Sequence, residues 1–218
     1  MRRGWKRMSP DAQQTVKAFV ASQKTAHGYM NDGGLEDDYY GQFGRVLEAV
    51  FVPAKALRLP KQPLVVKESI GRDTVYGHFF AFIEKEIGFK TEEAEYKNDS
   101  FFTLHPSLFT SPTTNAVCCL LAMQYQMGMQ PDTAHVEWLQ QRQDKTGGFY
   151  ASEAAPIPDM LSTAVALFTL RLIGKEFKDA TQFIQAHWLD NGGVAPTLLD
   201  DYSDVEYVFY GLLALGTR

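Results

Sequence analysis

The chain has 218 residues, of which 45% are apolar and 22% charged, and its formal net charge is −5. This composition is typical of a soluble globular protein with one well-buried core, so we expect a single domain over residues 1–218. A negative net charge gives no general attraction to nucleic acid, which needs a cationic surface. No nucleic-acid partner is therefore expected. No run of about 18 apolar residues occurs, so no membrane span is expected either.

The cysteines indicate a reducing compartment. Cys118 and Cys119 are neighbours in an apolar helical run, where they cannot form an unstrained disulfide with each other. No apolar segment follows the N-terminal arginines, so the sequence gives no sign of a secretion signal. A cytoplasmic location is therefore expected.

The N-terminal residues form a small basic cluster, made of Arg2, Arg3, Lys6 and Arg7. We interpret this stretch, which also contains a glycine and a tryptophan, as a loose terminus; the alternative is a weak surface contact. Ser9-Pro10-Asp11 predicts a helix start, since it combines a capping hydroxyl, a proline at the first helical position and an acid in the first turn. That helix is expected to run to about Gln23.

Apolar runs predict further helices over 39–51, 74–88 and 115–127, with a connector containing three prolines over 53–73. Ser111-Pro112-Thr113 repeats the opening signal of the first helix. Gly128 ends the helix over 115–127, and Pro131-Asp132 starts the next one.

The C-terminal part of the chain contains one unit twice. A shift of 45 positions carries Trp138 onto Phe183, and it also carries Gly147-Gly148 onto Gly192-Gly193 and Asp159 onto Asp204. Periods of about 20–50 residues signal stacked supersecondary units. We expect the loop glycines to serve left-handed turns rather than phosphate binding, because they do not follow a strand.

The two helices of each unit differ in their apolar pattern. The first is amphipathic, whereas the second, as in residues 161–170 and 205–215, is apolar almost all the way round. A helix with one apolar stripe lies at a surface, and one that is apolar on every side is enclosed. The prediction is an all-α fold, an α/α toroid of about four pairs (roughly 11–51, 74–127, 132–173 and 179–216). Six pairs would need about 270 residues, so an incomplete ring is expected.

The repeat resembles those of protein prenyltransferase β subunits and of squalene–hopene and other triterpene cyclases. The resemblance rests on the helix end at 138–143, the loop Asp144–Phe149 and the run from Asp159 into a leucine-rich helix. It is good over 132–218, extends to 11–51 and 112–128, and is absent over 53–73 and 89–110. It implies an α/α toroid whose inner helices line an apolar cavity for an isoprenoid.

The family's metal site does not carry over. In the prenyltransferases an aspartate, a cysteine and a histidine hold a zinc ion that activates a cysteine thiolate. Here Glu206 occupies the position that resembles the family's histidine, no cysteine follows Asp159, and the two cysteines lie in mid-helix. A zinc site needs three or four converging ligands, so we expect no metal and no cofactor.

The cyclase acid, Asp-x-Asp-Asp, is also absent, and the nearest acidic stretches are 36–39 and 200–206. If all inner helices point the same way, both stretches gather with Asp159 at one mouth of the barrel. Burial would then raise the pKa of some of these carboxyl groups toward that of a general acid. The candidate catalytic residues are Asp204, Glu206, Asp159 and Asp38; the alternative is that they cap helices and face water.

Aromatic residues on the predicted inner helices are the candidate ligand-binding residues: Tyr39, Tyr40, Phe43, Tyr207 and Tyr210. Aromatic walls suit a polyisoprene chain or a carbocation, through dispersion and cation–π attraction. The alternative is that these residues are ordinary core.

Three functions are consistent with these patterns. The first is a prenyltransferase- or terpene-cyclase-like protein that binds an isoprenoid or other apolar small molecule, with or without catalysis. The second is a non-catalytic interaction module that binds a protein partner at the open edge of the ring. The third is an α/α-barrel glycosidase that uses two of the acids across a cleft.

Overall fold

A computed structural model describes residues 2–24 and 112–217, which are mostly helical, in agreement with the all-α prediction. The helices are α1 (Arg2–Arg7), α2 (Pro10–Ser22), α3 (Thr114–Gln126), α4 (Thr133–Gln141), α5 (Met160–Leu172), α6 (Thr181–Ala186) and α7 (Val205–Thr217), and the strands are β1 (Phe149–Tyr150) and β2 (Pro158–Asp159). The predicted helices over 39–51 and 74–88 and the connector over 53–73 lie outside the described residues.

Short polar side chains start the helices, as the sequence predicts. The Ser9 hydroxyl accepts a hydrogen bond from the N–H of Ala12 at 3.2 Å, and the Asp132 carboxylate accepts one from the N–H of His135 at 3.0 Å. The third start is displaced by two residues, because Thr113 rather than Ser111 caps α3. The cause is tertiary: the N–H of Thr114 donates to the carbonyl oxygen of Ala151 at 2.8 Å, which fixes where this helix begins.

The described helices pack in a row in which each buried helix lies between two others. Helix α5 packs between α3 and α7, and α7 packs between α5 and α1. Helices α4 and α6 pack outside this row, on α3 and α7 respectively. Each outer helix buries only two apolar side chains, whereas α5 and α7 are buried over most of their length. This burial matches the alternation of amphipathic and fully apolar helices in the sequence.

The 45-residue repeat is also present in the backbone hydrogen bonds of the two loops. The N–H of Asp144 donates to Gly148 O at 2.9 Å, and 45 positions later that of Leu189 donates to Gly193 O at 3.0 Å. The bridge between Gln143 and Phe149 has its counterpart between Trp188 and Val194. In the first of these loops the chain continues into the β1–β2 pair, with Phe149 opposite Asp159. Both loops therefore fold alike although most of their side chains differ.

The prediction of a loose N-terminus was wrong, because residues 2–7 form a helix that packs against α7. The two backbones approach closely at Gly4, where an added Cβ atom would collide with the carbonyl oxygen of Leu212. Trp5 packs against the core, and its carbonyl oxygen accepts a hydrogen bond from the Gln13 side chain at 2.8 Å. A glycine that permits close approach and one aromatic anchor thus hold this short basic segment in place.

Replacing Gly4 tests this packing. Gly4→Ala is expected to lower the free energy of unfolding by about 1–3 kcal/mol, because the new methyl group has no space against α7. In an uncrowded helix the same change stabilises by up to about 1 kcal/mol, so the sign of the effect is diagnostic. Urea unfolding followed by circular dichroism measures it. Lys6→Ala, at an exposed position of the same helix, is the control and should stay within about 0.5 kcal/mol of the parent. A stabilised Gly4→Ala protein would contradict the contact.

Candidate functional site

Two of the candidate carboxylates cap buried helices. The carboxylate of Asp159 accepts a hydrogen bond from the N–H of Ser162 at 2.7 Å, and that of Asp204 accepts one from the N–H of Tyr207 at 2.8 Å. Burial raises the pKa of both carboxyl groups, although these hydrogen bonds oppose the rise. The capping alternative therefore describes the contacts of both residues, which stabilise the starts of α5 and α7.

Glu206 has different contacts, because it lies within the first turn of α7 and caps nothing. Its Oε1 accepts a hydrogen bond from the Tyr210 hydroxyl at 3.1 Å. Burial, and next the charge of Asp204, raises the pKa of Glu206 from 4.5 to about 7, while the Tyr210 hydrogen bond acts in the opposite direction. At neutral pH this carboxyl group is therefore divided between its acid and base forms, which is the condition for efficient proton transfer.

Tyr207 shows that the predicted acids lie close together. Burial raises the pKa of this phenol above its ordinary value, and the charges of Glu206, Asp159 and Asp204 raise it further. The rings of Tyr207 and Tyr210 meet edge to face, with centroids 5.9 Å apart. The structure thus brings together three of the four predicted carboxylates and two of the five predicted aromatic residues. Asp38, Tyr39, Tyr40 and Phe43 lie outside the described residues.

The repeat shows what is unusual about Glu206. In α5 the side chains of Leu161 and Phe168, two turns apart on one face, are partly exposed. Their counterparts 45 positions later are Glu206 and Leu213, which are partly exposed as well. A carboxyl group therefore takes the place of an apolar side chain at an equivalent, partly exposed position of a buried helix.

His187 is a buried polar residue that sequence reasoning missed. Its side chain is 0% exposed, and its ring packs on that of Phe183 with centroids 4.2 Å apart. Its Nδ1 lies 2.8 Å from the carbonyl oxygen of Phe183 and so carries a proton, while Nε2 has no hydrogen-bond partner among the described residues. Its counterpart in the preceding unit, Arg142, also lies over an aromatic ring, that of Trp138, at 5.2 Å. This likeness is a contact of the fold and could not be found in the sequence.

The cysteines are buried thiols rather than metal ligands or nucleophiles. Both are free, and burial raises the pKa of Cys118 to about 12 and that of Cys119 well above its ordinary value. Thiols in this state are unreactive at neutral pH. Within residues 2–24 and 112–217, no group of three or more His, Cys, Asp or Glu side chains is arranged to hold a metal ion. Over the same residues, no helix has both the length and the apolar character needed to cross a membrane.

Comparison with known proteins identifies no relative. No family model matches the chain, and neither a curated protein nor a solved structure is significantly similar to it. The resemblance to prenyltransferase β subunits and triterpene cyclases therefore stays a prediction that rests on the residues quoted for it.

Glu206 should make stability fall as the pH rises. Its pKa in the folded state, about 7, lies above the ordinary 4.5. The contribution of Glu206 to the free energy of unfolding is therefore fully present below pH 4.5 and is lost as the pH rises through 7. Glu206→Gln removes the titrating group. The free energy of unfolding of the variant minus that of the parent should therefore be about 1–3 kcal/mol larger at pH 8 than at pH 5. Urea unfolding at the two pH values checks this, with Asp201→Asn, at an exposed carboxylate, as the control. Equal differences at pH 5 and pH 8 would argue against a perturbed Glu206.

His187 should act in the opposite sense. Burial lowers its pKa below 6.5, although the Phe183 carbonyl and the charge of Asp159 oppose the shift. The unfolded chain then takes up the proton more readily, so the stabilising contribution is complete above pH 6.5 and is lost as the pH falls through the folded-state pKa. His187→Phe should abolish the part of the decrease in free energy of unfolding between pH 6.5 and pH 5 that comes from His187, as measured by thermal or urea unfolding. His135→Gln, on α4, should retain it; the same slope in the parent and His187→Phe proteins would contradict the assignment.

Proposed function

We propose that the chain is part of an α/α toroid that binds an uncharged isoprenoid against the partly exposed face of its buried helices, with Glu206 as the proton donor to a ligand double bond. The observation that carries this proposal is the half-buried carboxyl group of Glu206, placed beside Tyr207 and Tyr210 where the preceding unit has a leucine. Free buried thiols agree with the proposed cytoplasmic location.

The local charge selects the class of ligand. Asp159, Asp204 and Glu206 all lie within electrostatic range of Tyr207, so a diphosphate group at this position would meet like charges. Apart from Glu206, the partly exposed positions named above are apolar, namely Leu161, Phe168 and Leu213, and these suit a neutral chain. We therefore assign an isoprenoid hydrocarbon or alcohol rather than a charged prenyl donor.

The roles of the three acids differ in this proposal. Glu206, protonated in part at neutral pH, transfers its proton to a double bond, and the resulting cation is stabilised by the partly exposed ring of Tyr207. Proton transfer leaves Glu206 as a carboxylate. It regains a proton either from the water molecule that adds to the cation, which gives an alcohol, or from a carbon atom next to the cation, which gives a new double bond. Asp204 keeps the pKa of Glu206 high through its charge, and Asp159 starts the adjacent helix.

Incubation with squalene and with farnesol tests both parts of the proposal. Native mass spectrometry should show one bound molecule, and gas chromatography should show a hydrated or cyclised product whose rate falls as the pH rises through about 7. Glu206→Gln, nearly isosteric, should keep the bound molecule and lose at least about 100-fold in rate. Asp201→Asn is the matched control and should change neither. Failure to bind either compound, or full turnover by Glu206→Gln, would refute the proposed role of Glu206.

A protein-interaction module is the second candidate, favoured by an exposed apolar loop just before α7. Leu198, Leu199 and Tyr202 are 60%, 83% and 56% exposed. Three such side chains within five residues are unusual for a surface that contacts only water. This candidate predicts that the protein binds no isoprenoid and that Glu206→Gln has no effect on its function. The glycosidase alternative stays a prediction. Its pair of acids would have to include Glu206, because the Asp159 and Asp204 carboxylates both accept backbone hydrogen bonds at helix starts.

A further inference from the structure

Glu206 and Tyr210 form a side-chain hydrogen bond within a largely apolar helix, α7. The two residues are four positions apart, so their side chains lie on the same face one turn apart. The Tyr210 hydroxyl donates to Oε1 of Glu206 at 3.1 Å. In α5, 45 positions earlier, the same two positions hold Leu161 and Val165. Both members of the pair are therefore polar in the last unit and apolar in the preceding one.

Tyr210 is the buried member of this pair. The residue is only 3% exposed, whereas Glu206 is partly exposed. The Tyr210 ring meets the ring of Phe209 with centroids 5.2 Å apart and that of Tyr207 with centroids 5.9 Å apart, edge to face in both cases. A phenol packed against two other rings has little freedom to turn, so its hydroxyl stays directed at Glu206.

The hydrogen bond decides which oxygen of Glu206 holds a proton. Burial, and next the charge of Glu206, raises the pKa of Tyr210 well above its ordinary value, so the phenol keeps its own proton and is the donor at neutral pH. A carboxylic acid carries its proton on one oxygen and accepts best with the other, so the proton of Glu206 is on Oε2. Among the described residues, Oε2 has no hydrogen-bond partner and is not one of the fully buried unpaired atoms, so it keeps access to the surface.

We propose that Tyr210 is a positioning residue that holds Oε1 of Glu206, so that the proton given to a ligand double bond leaves from Oε2. This role rests on the proposed function of Glu206 and adds a second residue to the same step. When the proton leaves, the Tyr210 hydroxyl donates to a charged acceptor, which makes the stronger kind of hydrogen bond. Tyr210 therefore favours release of the proton and keeps the same partner before and after the transfer.

Tyr210 opposes the other influences on Glu206. Burial and the charge of Asp204 raise the pKa of Glu206, and the hydrogen bond from Tyr210 lowers it. The other titratable groups near the pair, within the part of the chain that the structure describes, are Tyr207 on the same helix, Asp159 at the start of α5 and Cys119 on α3. Loss of the Tyr210 hydroxyl should therefore raise the pKa of Glu206 further and leave these groups in place.

The first test measures the pKa of Glu206 in the full chain and needs no ligand. Glutamate labelled with carbon-13 at the side-chain carboxyl gives one NMR signal per residue, and the Glu206 signal is the one that Glu206→Gln lacks. Its pKa should be about 7 in the parent. In Tyr210→Phe it should be higher by about 0.5–1, because a hydrogen bond to the charged form is lost. Tyr125→Phe, which removes a hydroxyl from a residue that is 48% exposed, should keep the parental value.

The second test follows turnover of squalene and of farnesol against pH. At pH 5 Glu206 is protonated in both proteins, and Tyr210→Phe should be about threefold to tenfold slower, because it is a weaker and less well oriented acid. The pH at which its rate has fallen by half should lie above that of the parent. A merely structural defect would lower the rate without moving this midpoint. Tyr125→Phe should match the parent in both respects.

The possible failures are distinguishable. Equal pKa values of Glu206 in the parent and Tyr210→Phe proteins would overturn the proposal whatever the ligand, and so would a parental rate of Tyr210→Phe at pH 5. A raised pKa in Tyr210→Phe together with no turnover by the parent would refute the isoprenoid function, and with it the role of Tyr210 in the reaction.

Tyr210→Phe keeps the ring, so folding should be retained, and circular dichroism checks each variant. A second pair of proteins covers the case in which it is destabilised. Between pH 5 and pH 9 the free energy of unfolding should decrease more in Tyr210→Phe than in the parent, because the folded-state pKa of Glu206 is higher. In the Glu206→Gln background, Tyr210→Phe should leave this pH dependence unchanged. A change of the same size in both backgrounds would overturn the proposal.

Discussion

Burial of helices that are apolar on every side is the constraint on which the rest of this structure depends. Neither α5 nor α7 could be covered by the single amphipathic helix of its own unit, because each outer helix buries only two apolar side chains. Each needs a neighbour on both flanks, and a row of helices supplies it. The stacking of units, the caps that start their helices and the close loops between them follow from that requirement.

The same constraint explains why a polar group in this row is informative. Leu161 has no polar group, so its partial burial needs no hydrogen-bond partner. Burial of the Glu206 carboxyl group at the equivalent position disfavours its charged form and raises its pKa. Asp159 and Asp204 avoid this problem by accepting backbone hydrogen bonds at helix starts. Glu206 accepts no backbone hydrogen bond of this kind and contacts the Tyr210 hydroxyl instead. A contribution to stability therefore explains the positions of the two aspartates but not that of Glu206.

Much of the fold followed from local patterns in the sequence. Capping residues and the difference between amphipathic and fully apolar helices predicted α2 and α4–α7, because both signals act over a few residues. The start of α3 and the docking of α1 could not be predicted in this way. One depends on a hydrogen bond to Ala151, and the other on contact between Gly4 and a helix at the opposite end of the sequence.

The candidate site was predictable in composition but not in role. The repeat placed Asp159, Asp204 and Glu206 near one another, yet which of them would cap a helix depended on helix starts that differ by one or two residues. His187 was missed because a single histidine carries no pattern of its own. Its importance became visible only from its complete burial and from the equivalent position of Arg142.

The docking of α1 on α7 bears on how the protein reaches its native state. Arg7 and Leu215, which share a hydrogen bond, are separated by 208 positions. Helical hairpins form from near neighbours and assemble early, but this contact must wait until two helices far apart in the sequence meet. During synthesis α1 is made before α7, so the face of α1 that packs on α7 stays exposed to solvent until α7 has left the ribosome.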